Sequence, residues 1–316
     1  MKKCPLISDG VPCFVHLCKF GDQMILLPAL REIFLRTGLK PVVLCKSPYH
    51  TVYDGVSYAD ALAVPWTADI ARKFAWYMFG NAIVTKWWEA SDHYFFDVIE
   101  SEHRFRLFYK GREFNLDKRV HPNYMLDQWS ATGFSPEELM QFPLVFDRRN
   151  VVRERELIRN HVHPGKPLFL INFEGGTSPF GAVPEVMQRA YPLLREFQIV
   201  DLAQIRATRI YDLLGLYDIA VGLITSDTAT LHLAAAAKIP YIAYTNDGWG
   251  RSVPRGNCVI EIQYSKAITN LSELEEHLSG IISNDNPRLD KVRIERSANS
   301  TEKSDRATNL ANTVMA

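Results

Sequence analysis

Residues 218–244 read DIAVGLITSDTATLHLAAAAKIPYIAY, and no other stretch restricts the fold as strongly. The run 218–223 is short, apolar and of strand type. Asp227 stands where a helix N-cap would stand, and 228–237 is rich in Ala and Leu, which favours helix. Lys238 closes that helix, and 240–244 begins a second strand. The pattern predicts a βαβ unit, which places the chain in the α/β class with a parallel sheet. Ligands of such sheets sit at the carboxyl ends of the strands, where a helix N-terminus attracts anions. The amides of Thr228, Ala229 and Thr230 are therefore expected to face a phosphate. The plain alternative is a purely structural unit, because caps such as Asp227 are common.

The chain opens in the same way. Residues 12–18 (PCFVHLC) predict a buried strand and 19–22 a sharp turn, followed by an amphipathic helix over 23–36. Its apolar face is Leu26, Leu27, Leu30, Ile33 and Phe34, and Pro28 is expected to begin or kink its regular part. Thr37-Gly38 ends the helix, and 41–45 (PVVLC) is the next strand. The turn has no GxGxxG run, which counts against a dinucleotide dehydrogenase. A break at 163–167 (HPGKP) then precedes a third apolar strand at 168–173. Gly175 and Gly176 follow that strand, where two glycines let the backbone approach a phosphate. Further on, the pattern predicts helices over 184–197, 210–217 and 271–282 and strands over 198–202 and 259–262.

Two of these segments resemble the ADP-heptose:lipopolysaccharide heptosyltransferases, glycosyltransferase family nine. The first is Gly21-Asp22 followed by Pro28-Ala29-Leu30-Arg31; the second is the run from Asp227 through His232-Leu233-Ala234-Ala235. The chain departs from the family at Ala229, where Gly is usual. It also lacks the family's Lys in 178–182, a few residues after the Gly175 loop. The resemblance implies a GT-B fold: two Rossmann-like domains facing across a cleft, acceptor on the first and nucleotide-sugar donor on the second. It makes Asp22 the general base that takes the acceptor proton, with inversion at the anomeric carbon. It makes Gly175, Gly176, Thr177, Ser226, Asp227, Thr228, Ala229, Thr230 and His232 donor-binding. The plain alternative for Asp22 is that it caps its helix.

Composition narrows the partners. The 316 residues suffice for two domains, set at 1–155 and 156–283, with a polar tail over 284–316 that is either disordered or crosses back. With 36 basic and 36 acidic residues the formal charge is zero, so nucleic acid could meet only a local patch. Such a patch is offered by 74–129, where aromatics alternate with Arg and Lys. Most of these side chains are expected to complete the first domain's core. Gly21, Lys46, His50, Arg104 and Arg106 are candidates for acceptor binding. The acceptor is then a saccharide or glycolipid, with modified DNA as an alternative. A non-catalytic nucleotide-sugar-binding protein and a GT-B epimerase remain open as other classes. No Asp-x-Asp motif stands out, so neither a metal nor a cofactor is expected beyond the donor substrate. Five cysteines without a CxxC pair suit reduced core thiols. No run nears the roughly 20 apolar residues of a membrane span. Pro5, Asp9, Gly10 and Pro12 interrupt any signal-peptide core, so a cytoplasmic location is expected.

Overall fold

The computed structural model describes residues 13–16, 19–64, 81–89, 96–99, 104–109, 112–117, 134–175, 179–246, 256–283 and 285–289. Two sheets organise them. The first begins with three parallel strands, β1 (Cys13–His16), β2 (Val42–Lys46) and β3 (Asp60–Val64). It continues with four antiparallel strands, β4 (Asn81–Glu89), β5 (Phe96–Ile99), β6 (Arg104–Tyr109) and β7 (Arg112–Asp117), in the order β3-β2-β1-β4-β7-β6-β5. The second sheet is parallel throughout. Its strands are β8 (Leu168–Asn172), β9 (Gln198–Asp201), β10 (Ala220–Ser226), β11 (Tyr241–Thr245) and β12 (Cys258–Gln263), in the order β12-β11-β10-β8-β9. The α/β class and the parallel second sheet agree with the sequence reading. The first sheet is parallel only in its opening strands.

The helices are α1 (Phe20–Thr37), α2 (Pro136–Gln141), α3 (Val151–His161), α4 (Val183–Leu193), α5 (Leu214–Ile219), α6 (Ala229–Ala237) and α7 (Leu271–Ile281). Strand alternation divides the second sheet's apolar side chains between two cores. Phe169, Ile171, Ile242 and Tyr244 face a core closed by α4 and α7, with Val186, Leu274 and Leu278. Leu168, Leu170, Tyr241 and Ala243 face the other way, into a core that also holds Phe14, Leu26, Leu30 and Val43 from the first half. One apolar core therefore runs through both halves.

Three element ends depart from the sequence reading. Helix α1 starts at Phe20, not Gln23, and is unbroken through Pro28; every residue from Gln23 to Leu30 is buried. It packs against α6 and shares a core with Phe14 and Val43 of the first sheet, and this packing offsets the amide that Pro28 lacks. Helix α5 runs through Asp218 and Ile219, so the following strand begins at Ala220 rather than at 218. The N-cap of α6 is Thr228, with φ −138° and ψ 174°, one residue after Asp227. Two predicted helix ends hold. Gly38 is left-handed at φ 71° and its amide bonds Phe34 O at 2.8 Å. Lys238 ends α6 at φ 54°.

The start of the tail belongs to the second half, where Leu289 is buried and Arg288 donates to the carbonyls of Tyr217, Ala220 and Ala237 at 3.0, 3.2 and 2.9 Å.

Helix α3 crosses α5 at Gly215. A Cβ there would lie 2.6 Å from Glu154 Cβ and 3.3 Å from Glu154 Cα. Glu154 cannot swing aside, because Arg149 holds its carboxylate at 2.7 and 2.8 Å and also reaches Asp218. Gly215→Ala should therefore destabilise the protein by about 2 kcal/mol through overpacking, although Ala favours a helix over Gly by about 1 kcal/mol. The urea midpoint should fall; a midpoint at or above wild type would show that the two helices separate freely.

Candidate functional site

The segment around Asp227 is the exit of β10 and the entry of α6. All seven residues of β10 are buried, and its end brings Thr225 and Ser226 to the carboxyl edge of the sheet. Four side chains bind one another there. Asn172, the last residue of β8, donates from Nδ2 to Thr228 Oγ1 (3.1 Å) and Thr230 Oγ1 (2.8 Å). Thr230 Oγ1 lies 2.6 Å from Thr228 Oγ1 and 2.9 Å from Thr225 Oγ1. Tyr217, fully buried, donates to Thr230 O at 3.0 Å. The Asp227 amide donates to Tyr264 Oη at 3.2 Å. Burial, ahead of the other influences, raises the Tyr264 hydroxyl above its ordinary pKa.

The Gly21-Asp22 motif lies in the first turn of α1, at the carboxyl end of β1. Asp22 Oδ2 accepts the Lys19 amide at 2.8 Å, so the carboxylate closes its own helix. Gln23 donates to His16 O at 2.9 Å and accepts from the Tyr53 hydroxyl at 2.7 Å, fixing the turn to the end of β1. His16 is fully buried, and burial holds its pKa down at about 4. The Asp22 backbone lies near enough to pull the other way, yet neither ring nitrogen closes a hydrogen bond.

These two turns come from opposite halves of the chain and touch. A Cβ on Gly21 would lie 3.2 Å from His232 Cδ2, 3.3 Å from Ala229 Cα and 3.4 Å from His232 Nε2. The residue must be small for the two helix entries to come this close, and their N-terminal amides then share one neighbourhood. Each helix end carries partial positive charge, so their juxtaposition favours an anion.

The other candidates divide. Lys46, buried at the end of β2, and His50, bonded to Ser47 O, share the carboxyl edge of the parallel strands with Gly21 and Asp22. The ring of Tyr49, beside them, meets Phe20 at 4.9 Å. Arg104 and Arg106 lie on β6, four strand spacings from β2, roughly 19 Å at the usual spacing. The register sets Arg104 opposite Asp117 and Arg106 opposite Asp97. Gly175 follows β8 at the carboxyl edge of the second sheet; Gly176 and Thr177 lie outside the described residues. Asn172, Thr225, Tyr217, Tyr264 and His16 escaped sequence reasoning. A signal existed for two of them, since Asn172 and Thr225 are polar residues at the carboxyl ends of otherwise apolar strands.

The chain matches E. coli ADP-heptose lps heptosyltransferase II over 84% of its own length and 97% of the other, at 11% identity and a TM-score of 0.50. The fold is GT-B. Two further likenesses are a glycosyl transferase family 9 protein from Veillonella parvula and E. coli heptosyltransferase WaaC with ADP. The first has 11% identity, 86% and 90% coverage and a TM-score of 0.46; the second has 13%, 83% and 99%, and 0.47. No family model and no curated protein matches the sequence. Among the described residues of this GT-B chain, no helix is long and apolar enough to cross a membrane. No group of three His, Cys, Asp or Glu side chains there is placed to hold a metal ion.

Proposed function

We propose that the protein is an inverting glycosyltransferase that moves a sugar from a nucleotide-sugar donor to an acceptor hydroxyl. One observation carries the reading. Gly21 lies against Ala229 and His232, so the turn bearing Asp22 adjoins the turn bearing the donor motif. The Asp22 carboxylate takes the proton of the acceptor hydroxyl as its oxygen bonds to the anomeric carbon. The bond from that carbon to the donor diphosphate breaks, and its electron pair leaves with the diphosphate. Backbone amides at the start of α6 and in the Gly175 loop hold the leaving charge. The GT-B fold and the named activity of the E. coli structural neighbour support a nucleotide sugar as donor.

The acceptor in this reading is a saccharide or glycolipid. Zero formal charge and a register that sets acids opposite Arg104 and Arg106 count against a DNA backbone as the acceptor. Neither a metal nor a cofactor is assigned to the reaction.

A panel of nucleoside diphosphates and nucleotide sugars, tested by thermal shift, checks the reading. A ligand at about a hundred times its Kd adds roughly 2.7 kcal/mol to a fold that alone binds it, so at least one compound should raise Tm clearly. The compound that does so should then yield a glycosylated acceptor by mass spectrometry. If no compound raises Tm, the reading fails. Free sugar or an isomerised donor as the only product would make the protein a hydrolase or an epimerase.

A further inference from the structure

We propose that Asn172 is the positioning residue that locks the two donor loops into one anion-binding surface. The inference rests on the glycosyltransferase reading and adds to it a residue that neither motif contains. Asn172 is 4% exposed and ends β8, where it stands between the loop carrying Gly175 and the turn carrying Thr228. Its Oδ1 accepts the Glu174 amide at 3.2 Å, which sets the start of the Gly175 loop. Its two Nδ2 protons go to Thr228 and Thr230, which set the first turn of α6. One carboxamide therefore spans both loops.

The proton accounting leaves a single consistent arrangement. Thr225 Oγ1 donates its one proton to Ser226 O at 3.0 Å. The 2.9 Å contact between Thr225 and Thr230 must then be a donation from Thr230. With its proton spent, Thr230 accepts from Thr228 across 2.6 Å and from Asn172 across 2.8 Å, which fills both of its lone pairs. The chain runs Asn172 and Thr228 to Thr230, then Thr225, then Ser226 O. Each bond in such a buried chain polarises the next. Only a side chain with two donors and one acceptor fits at 172, so the amide cannot be reversed.

Two consequences bear on the donor. The hydroxyl protons of Thr228 and Thr230 are used inside the network, so neither is offered to a phosphate. The remaining donors are the backbone amides of the turn, and the network fixes where they point. Charge held by prearranged amides needs no rearrangement when the anion arrives. Asn172 thus acts through the turn without touching the donor.

The test compares wild type, Asn172→Ala and Asn172→Asp, with ADP, UDP and GDP as binding probes and the active nucleotide sugar as substrate. Asn172→Ala removes all three bonds. Asn172→Asp keeps the size and the Glu174 acceptor, yet it has no proton for either threonine. Both variants should weaken binding of the diphosphate that wild type binds, and raise donor KM, by about tenfold or more. That is the loss expected from one or two buried hydrogen bonds of about 1 kcal/mol each. The kcat at saturating donor should stay within about threefold, since Asp22 is untouched. A lower Tm with Kd and KM within about twofold of wild type would make the role merely structural and overturn the proposal. If Asn172→Ala fails to fold, Asn172→Asp decides on the same criteria. Wild type that binds none of the three probes overturns the glycosyltransferase reading and this inference with it. Binding by wild type that both variants retain overturns the inference alone.

Discussion

Asp22→Asn should lower turnover by at least about a hundredfold while leaving Tm and nucleotide binding near wild type. The structure makes this substitution a clean probe. Asp22 Oδ2 accepts the Lys19 amide at 2.8 Å, and an asparagine Oδ1 in the same place accepts that bond equally well. The first turn of α1 and its contact with Ala229 and His232 therefore persist. An amide cannot take a proton from an acceptor hydroxyl, so the loss isolates that step. Asp22→Ala removes the base and the cap together and should also lower Tm. If Asp22→Asn turns over within a few-fold of wild type, another group is the base and Asp22 serves only its helix.

Acid should destabilise the protein through His16 by about 3 kcal/mol between pH 6.5 and pH 4. The imidazole is fully buried, and burial lowers its pKa from 6.5 to about 4. The sign follows directly. Below pH 6.5 the unfolded chain binds a proton at His16 that the folded chain refuses until about pH 4. Stability attached to the neutral ring is complete above pH 6.5 and is lost as pH falls through that window. The size comes from about 1.4 kcal/mol for each unit of separation. His16→Leu cannot titrate, so its stability should fall less between pH 7 and pH 4 than that of wild type. Urea midpoints across that range check the difference, and parallel curves for the two proteins would place the acid sensitivity elsewhere. Because His16 lies beneath the Asp22 turn, activity should fail in acid before global unfolding does.

Much of the second half could be read in the sequence because its signals are local. Leu168–Asn172 and Tyr241–Thr245 are short apolar runs bounded by breakers, and each forms a strand close to where it was expected. The stretch 81–117 could not be read so well. Its strands pair antiparallel in one extended sheet, and aromatics mixed with charge give neither a clean alternation nor an apolar run.

The errors at element ends have a common origin. Asp227 and Thr228 are both good caps by residue type, and Thr228 takes the place in a structure where Asn172 and Thr230 hold its hydroxyl. Asp218 looked like the start of a strand because apolar residues follow it. It ends a helix instead, facing Arg149 from 69 positions earlier in the chain.

Local signals along the chain suffice for the α/β class, the two strand-to-helix turns and the residue types at each. Periodicity, glycine and proline act through neighbours a few positions apart, so a reader of the chain meets them together. Three features arise only on folding: Gly21 lies against His232, Asn172 reaches Thr228 and Thr230, and one core joins the halves. Those contacts join residues 56 to 211 positions apart. A lone glycine or asparagine carries no mark of a distant partner, because its role comes from the close approach that burial of the shared core imposes.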